Sequence, residues 1–77
     1  MKQGVFMKKK ISYIVYQVSQ RKWGIQRTGS QIPSLFFSSR FNAWAEARRL
    51  ARGKGAVAVF KDTDGKVKVR NNYNDKE

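Results

Sequence analysis

The sequence predicts an α+β domain: a four-stranded antiparallel sheet, in the chain order β-β-α-β-β, with one helix packed on one face. Three observations lead there. Residues 11–27 hold two β-branched, aromatic-rich runs around a polar turn. Residues 39–52 hold a Ser-led stretch without Gly or Pro, and residues 56–70 hold two further apolar runs around Asp64-Gly65.

The first strand is Ile11-Ser12-Tyr13-Ile14-Val15-Tyr16-Gln17-Val18, β-branched and aromatic through most of its length. Ser19 to Lys22 makes a polar turn, and Trp23-Gly24-Ile25-Gln26-Arg27 alternates large apolar with small or polar residues, the period of a half-buried strand. Thr28 to Ser34 is a loop containing the single Pro. Ser39 can accept the free amide hydrogens at a helix start, and Gly53 and Gly55 stop the helix. Ala43, Ala47, Leu50 and Ala51 form one apolar stripe with Trp44 on its flank; Phe36, Phe37 and Trp23 fill its edges. Ala56 to Phe60 reads as a buried strand, Asp62 to Gly65 as a hairpin turn, and Lys66 to Arg70 as a strictly alternating strand.

Length and charge bound the function. Seventy-seven residues allow one domain, placed at 11–70, between a flexible basic arm at 1–10 and a polar tail at 71–77. Without His or Cys the chain lacks the commonest general base and any thiolate, so a non-enzymatic protein without cofactor or metal is expected. Asp62-x-Asp64-Gly65 resembles the opening of a calcium loop, but Tyr73 stands where that loop needs Glu. The apolar run after Lys8-Lys9-Lys10 is broken by Ser12, too short for a membrane span and without a cleavage site. A cytoplasmic location follows as the expectation. Met7 is an alternative start to Met1.

The net charge of +12 points to a polyanion. Strict alternation would put Lys66, Lys68 and Arg70 on one strand face, about 7 Å apart, a spacing suited to backbone phosphates. The same row would also protect an edge strand from aggregation. Arg48, Arg49 and Arg52, with Arg40 at the start and Lys54 beyond the end, crowd the helix against Glu46 alone, although cations in a last turn also favour the helix dipole. Arg27 and the Lys8, Lys9, Lys10 arm complete the candidate phosphate contacts. Tyr13 and Tyr16 have opposite parity, so at least one lies on the open sheet face or at an edge, where a base could stack. The same ring could instead pack on the sheet of a homodimer mate.

Tyr13, Val15, Trp23-x-Ile25 and Arg27, then Phe37-x-Ser39, Ala43, Ala47 and Leu50-Ala51, then Val57-x-Val59, Asp64-Gly65-x-Val67 and Tyr73-x-Asp75 follow one another at spacings that resemble the bacterial and phage family called domain of unknown function 2188. The resemblance covers roughly 11–75 and implies a fold rather than an activity. Two departures stand out: Ser39 and Asn42 occupy positions where the family has a Thr and a Glu that close a capping box, and the charge is far less balanced. Trp23, Ile25, Arg27, Phe37, Ser39, Ala43 and Ala47 also bear a looser likeness to the plant AP2-type and integrase arm-binding domains. Those read duplex DNA from the exposed face of a sheet.

The expected function is therefore a small nucleic-acid-binding accessory protein acting mainly on the phosphate backbone, with DNA ahead of RNA and no membrane partner. The alternative is a phage or mobile-element module that docks on an acidic host protein.

Overall fold

A computed structural model describes residues 11–73, so Lys8, Lys9 and Lys10 of the predicted arm and the tail beyond Tyr73 lie outside the described residues. The chain forms β1 (Ser12–Ser19), β2 (Lys22–Arg27), β3 (Leu35–Phe37), α1 (Arg40–Lys54), β4 (Val57–Lys61) and β5 (Val67–Asn72). These build a five-stranded mixed sheet in the order β3-β2-β1-β4-β5, with α1 on one face. The α+β class stands; the four-stranded antiparallel sheet does not.

One short element accounts for the difference. Leu35-Phe36-Phe37, expected to fill edges, pairs with β2 through Trp23↔Phe37, Gly24↔Phe36 and Ile25↔Leu35. Each element runs opposite to the one before it, so an added strand ahead of the helix reverses the direction of everything after it. Accordingly β4 lies parallel to β1, with Ser12↔Val57 through Val15↔Phe60 in register. Its composition suits that central place: Val57, Ala58 and Val59 are all buried, as in a strand covered on both faces.

Helix ends form from local chemistry. Ser39 is extended (φ −120°, ψ 133°), and its Oγ accepts from the amides of Phe41 at 3.1 Å and Asn42 at 3.4 Å. Gly53 does not stop the helix; it lies within the last turn, two residues before the true cap. Gly55 takes the left-handed conformation (φ 63°), its amide donates to the Arg52 carbonyl, and the Ala56 amide donates to the Ala51 carbonyl at 2.8 Å.

Ala43, Ala47 and Ala51 are each 0% exposed and lie against Tyr13, Val15, Ile25 and Ala58. Methyl side chains at i, i+4 and i+8 let the helix backbone come down close on the sheet. Larger groups close the margins: Phe60 stacks on Trp23 (5.6 Å between centroids) and meets Trp44 edge-on (5.8 Å). Tyr73 packs on the core and its amide donates to the Ala56 carbonyl, so ordered structure continues past the predicted boundary at 70.

A candidate nucleic-acid interface

Side-chain parity is interrupted in the last strand. Phe60 pairs with Val69 but Lys61 pairs with Val67, leaving Lys68 as an extra residue in a β-bulge. Paired residues share a face and neighbours alternate, so Val69 lies on the helix side with Phe60 while Val67 lies on the open side with Lys61. The predicted row of Lys66, Lys68 and Arg70 on one face with both valines on the other is therefore not formed. Lys66 precedes the strand in the hairpin turn, Lys68 pairs with Asp62 at 3.6 Å, and only Arg70, in register with Val59, keeps an open-face position.

The bulge adds local twist, and the hairpin turn contributes one wall of a concavity on the open face. Ile14, Tyr16, Gln26, Lys61, Asp62 and Thr63 are among the residues that line it, around a volume of about 350 Å³. The Tyr16 hydroxyl donates to Gln26 Oε1 at 2.6 Å, and Gln26 Nε2 donates to the Ser30 carbonyl at 2.7 Å, so the ring is held from its polar end. Asp62 Oδ1 accepts from the Thr63 amide and Asp64 Oδ1 from the Lys66 amide, which fixes the turn by side-chain-to-backbone bonds. The two tyrosines do point opposite ways. Tyr13, only 6% exposed, is part of the core beneath the helix and has no ring face to offer; Tyr16 is the one on the open side.

The second basic surface lies along the flank of α1 that borders β5. Here three guanidiniums rest over aromatic rings: Arg40 on Phe41 (5.7 Å), Arg48 on Trp44 (5.6 Å) and Arg52 on Tyr73 (5.7 Å). Arg48 Nε also donates to the Trp44 carbonyl at 3.4 Å. Arg40, Phe41, Trp44, Phe60 and Val69 line a second concavity of about 270 Å³, which joins helix flank to edge strand. Phe41 is 76% exposed there.

Arg49 stands apart from its helix neighbours. It grips Glu46 with two donors, at 2.9 and 2.5 Å, which raises its own pKa and holds the Glu46 carboxyl below the usual carboxylate range, chiefly through that hydrogen bond. Its charge is locally matched. Arg27, in register with Tyr13, occupies the helix-side face at an exposed strand end, away from Tyr16. Among the described residues only Arg49 and Lys68 are cations in ion pairs, so Arg48, Arg52, Arg70, Arg40 and Lys61 are unmatched by any described carboxylate.

Lys61 was not among the sequence candidates for this surface, and Arg40 was counted in the basic helix run without being carried forward as a phosphate contact. Lys61 carried a readable signal, since it is the third member of the i, i+2 series Val57-Val59-Lys61; the value of Arg40 depends on the helix flank facing β5, which only the sheet order reveals. No group of His, Cys, Asp and Glu among the described residues could hold a metal ion, and no described helix is long and apolar enough to cross a membrane.

No curated protein and no solved structure matches the chain. A family model does match, over residues 13–73, from the Tyr of the first strand to the Tyr that follows the last. The chain belongs to the bacterial family described as an uncharacterized protein conserved in bacteria (DUF2188).

Proposed function

We propose that this protein is a small, non-enzymatic nucleic-acid-binding accessory protein that acts in the cytoplasm and gains most of its affinity from backbone phosphates, DNA ahead of RNA. One observation supports the reading above the others. A helix and the open face of the sheet it covers should present cations in opposite directions, yet Arg40, Arg48 and Arg52 run beside β5 while Arg70 and Lys61 lie just across it. The unmatched cations thus form a band around one sheet edge, with rings beneath three of them. A band of one sign is unusual for a face meant only to be soluble, where both signs are interspersed.

Salt titration of binding to a labelled duplex tests this. Each phosphate engaged contributes a slope of about −0.9 in log K against log salt. Arg48→Ala, Arg52→Ala and Arg70→Ala combined should reduce the steepness by up to about 3 units, roughly 1 for each phosphate no longer engaged. Binding that stays flat between ~50 and 200 mM salt would sink the proposal.

A second reading, docking on an acidic protein, is favoured by the exposed Phe41 in an apolar groove with an arginine rim. It predicts that, after nuclease treatment, the wild-type chain holds one acidic partner in stoichiometric amount and that Phe41→Asp releases it.

A further inference from the structure

We infer that the open-face concavity receives one unpaired nucleobase, which makes a single strand, rather than a duplex, the preferred form of nucleic acid; this rests on the nucleic-acid reading above. Tyr16 supplies the stacking surface. Its hydroxyl is tied to Gln26 at 2.6 Å and Gln26 in turn to the Ser30 carbonyl, so the ring is already ordered and little side-chain entropy is lost when a base stacks on it. Ile14 extends the apolar floor beside it. A volume of about 350 Å³ lies at the small end of ligand sites, about 300–1,000 Å³, suited to one planar heterocycle rather than a larger molecule.

The polar groups suit a base edge better than a phosphate. Asp62 lines the wall of the site; its Oδ1 accepts from the Thr63 amide and its Oδ2 faces Lys68, and each oxygen keeps a further lone pair that can accept from a ring or exocyclic N–H. Lys61 and Thr63 supply donors from the same wall, and neither side chain is held by another described residue. Of the unpaired cations, Lys61 lines the cavity, whereas Arg40, Arg48, Arg52 and Arg70 are left for the backbone outside it, Arg70 on the same face of the neighbouring strand. A paired base cannot reach Tyr16 without leaving its stack, which costs a few kcal/mol; an unpaired base arrives at no such cost.

Fluorescence anisotropy can measure a labelled single-stranded DNA of roughly 12 nucleotides, within the ~4–16 that small single-strand folds cover, against the same sequence as a duplex. The wild-type protein should bind the single strand more tightly. Tyr16→Ala should weaken single-strand binding about 5- to 150-fold and erase that preference, whereas Tyr16→Phe should keep most of it, because stacking needs the ring and not the hydroxyl. Neither change alters charge, so the salt slope should stay as in the wild type. Equal affinity for the two forms, or tighter duplex binding, overturns the inference while leaving phosphate binding intact, and it needs no variant. Undiminished single-strand binding by a folded Tyr16→Ala also overturns it. Failure of the wild type to bind either form removes the nucleic-acid reading and this inference together.

Discussion

Among the described glycines, Gly24 is the one where an added carbon atom meets the tightest contacts. It lies in β2 opposite Tyr16 on one side and Phe36 on the other, buried under the loop that leads to β3. A Cβ added there would stand 2.9 Å from Pro33 Cβ, 3.1 Å from Pro33 Cγ and 3.0 Å from Val18 Cγ2. Val18 can rotate away. The Pro33 ring cannot, because its loop is fixed on both sides: the Ser30 amide donates to the Arg27 carbonyl and the Ser34 amide to the Ile25 carbonyl, each at 3.0 Å. Overpacking of this kind costs about 1–3 kcal/mol. Alanine is preferred to glycine inside a strand by about 0.5–1 kcal/mol, which offsets part of the loss. The net destabilisation of Gly24→Ala should be about 1 kcal/mol, seen as a fall in Tm of about 4–8 °C in a domain of this size. Gly53→Ala is the matched control. It lies within α1 with nothing within 4 Å of the added carbon, so it should gain about 1 kcal/mol and raise Tm by a similar amount. Thermal denaturation followed by circular dichroism reads both. If Gly24→Ala melts at or above the wild-type temperature while Gly53→Ala rises as expected, Pro33 is not seated on the strand.

Other substitutions probe separate parts of the fold. Ser39→Ala removes the side chain that serves the Phe41 and Asn42 amides and should cost about 1 kcal/mol, read as a shift in denaturant midpoint with unchanged slope. Gly55→Ala forces a side chain into the left-handed conformation at φ 63° and should cost about 1–2 kcal/mol; its nearest neighbour, the Tyr73 carbonyl at 3.7 Å, leaves strain as the cause rather than a clash. The Glu46 carboxyl titrates below its ordinary value of 4.5 in the folded chain, so its pairing with Arg49 stabilises the fold above that pH and is lost as pH falls through the depressed value. A small difference in Tm between wild type and Glu46→Gln at neutral pH should therefore close as pH falls through the depressed Glu46 value, and a gap that persists once the carboxyl is protonated would contradict the assignment.

Much of the fold was legible because local chemistry and tertiary role agree. Ser39, Gly55 and the three buried alanines specify a helix start, a helix stop and a face, and all three act as the residues suggest. The hairpin turn at Asp64-Gly65, with Gly65 at φ 83°, was equally plain. Leu35-Phe36-Phe37 was not, because three apolar residues behind a proline have no period to read. That single omission carried through to the direction of β4, since strand direction is a parity and any missed reversal flips it. The candidate site suffered from a similar counting effect. Lys66 to Arg70 alternates without fault in the sequence, and nothing in it marks Lys68 as the bulged residue; the extra residue is set by the pairing with β4. The opposite parity of Tyr13 and Tyr16 was readable, but which of them went inward depended on where Ala58 and Ile25 would sit beside them.

The parallel pairing of β1 with β4 has a kinetic meaning as well. It joins residues 12–15 to residues 57–60, whereas β1 with β2 and β4 with β5 are joined by turns of a few residues. The two hairpins can therefore form early and independently, and the domain is completed only when they zip together along their inner strands. Closing so long an intervening loop makes this the slow step relative to a meander of the same size. On a ribosome, β1 waits with an open edge until residues 57–60 have emerged. The net charge of +12 would then act before folding is finished, as mutual repulsion between nascent chains with unpaired edges.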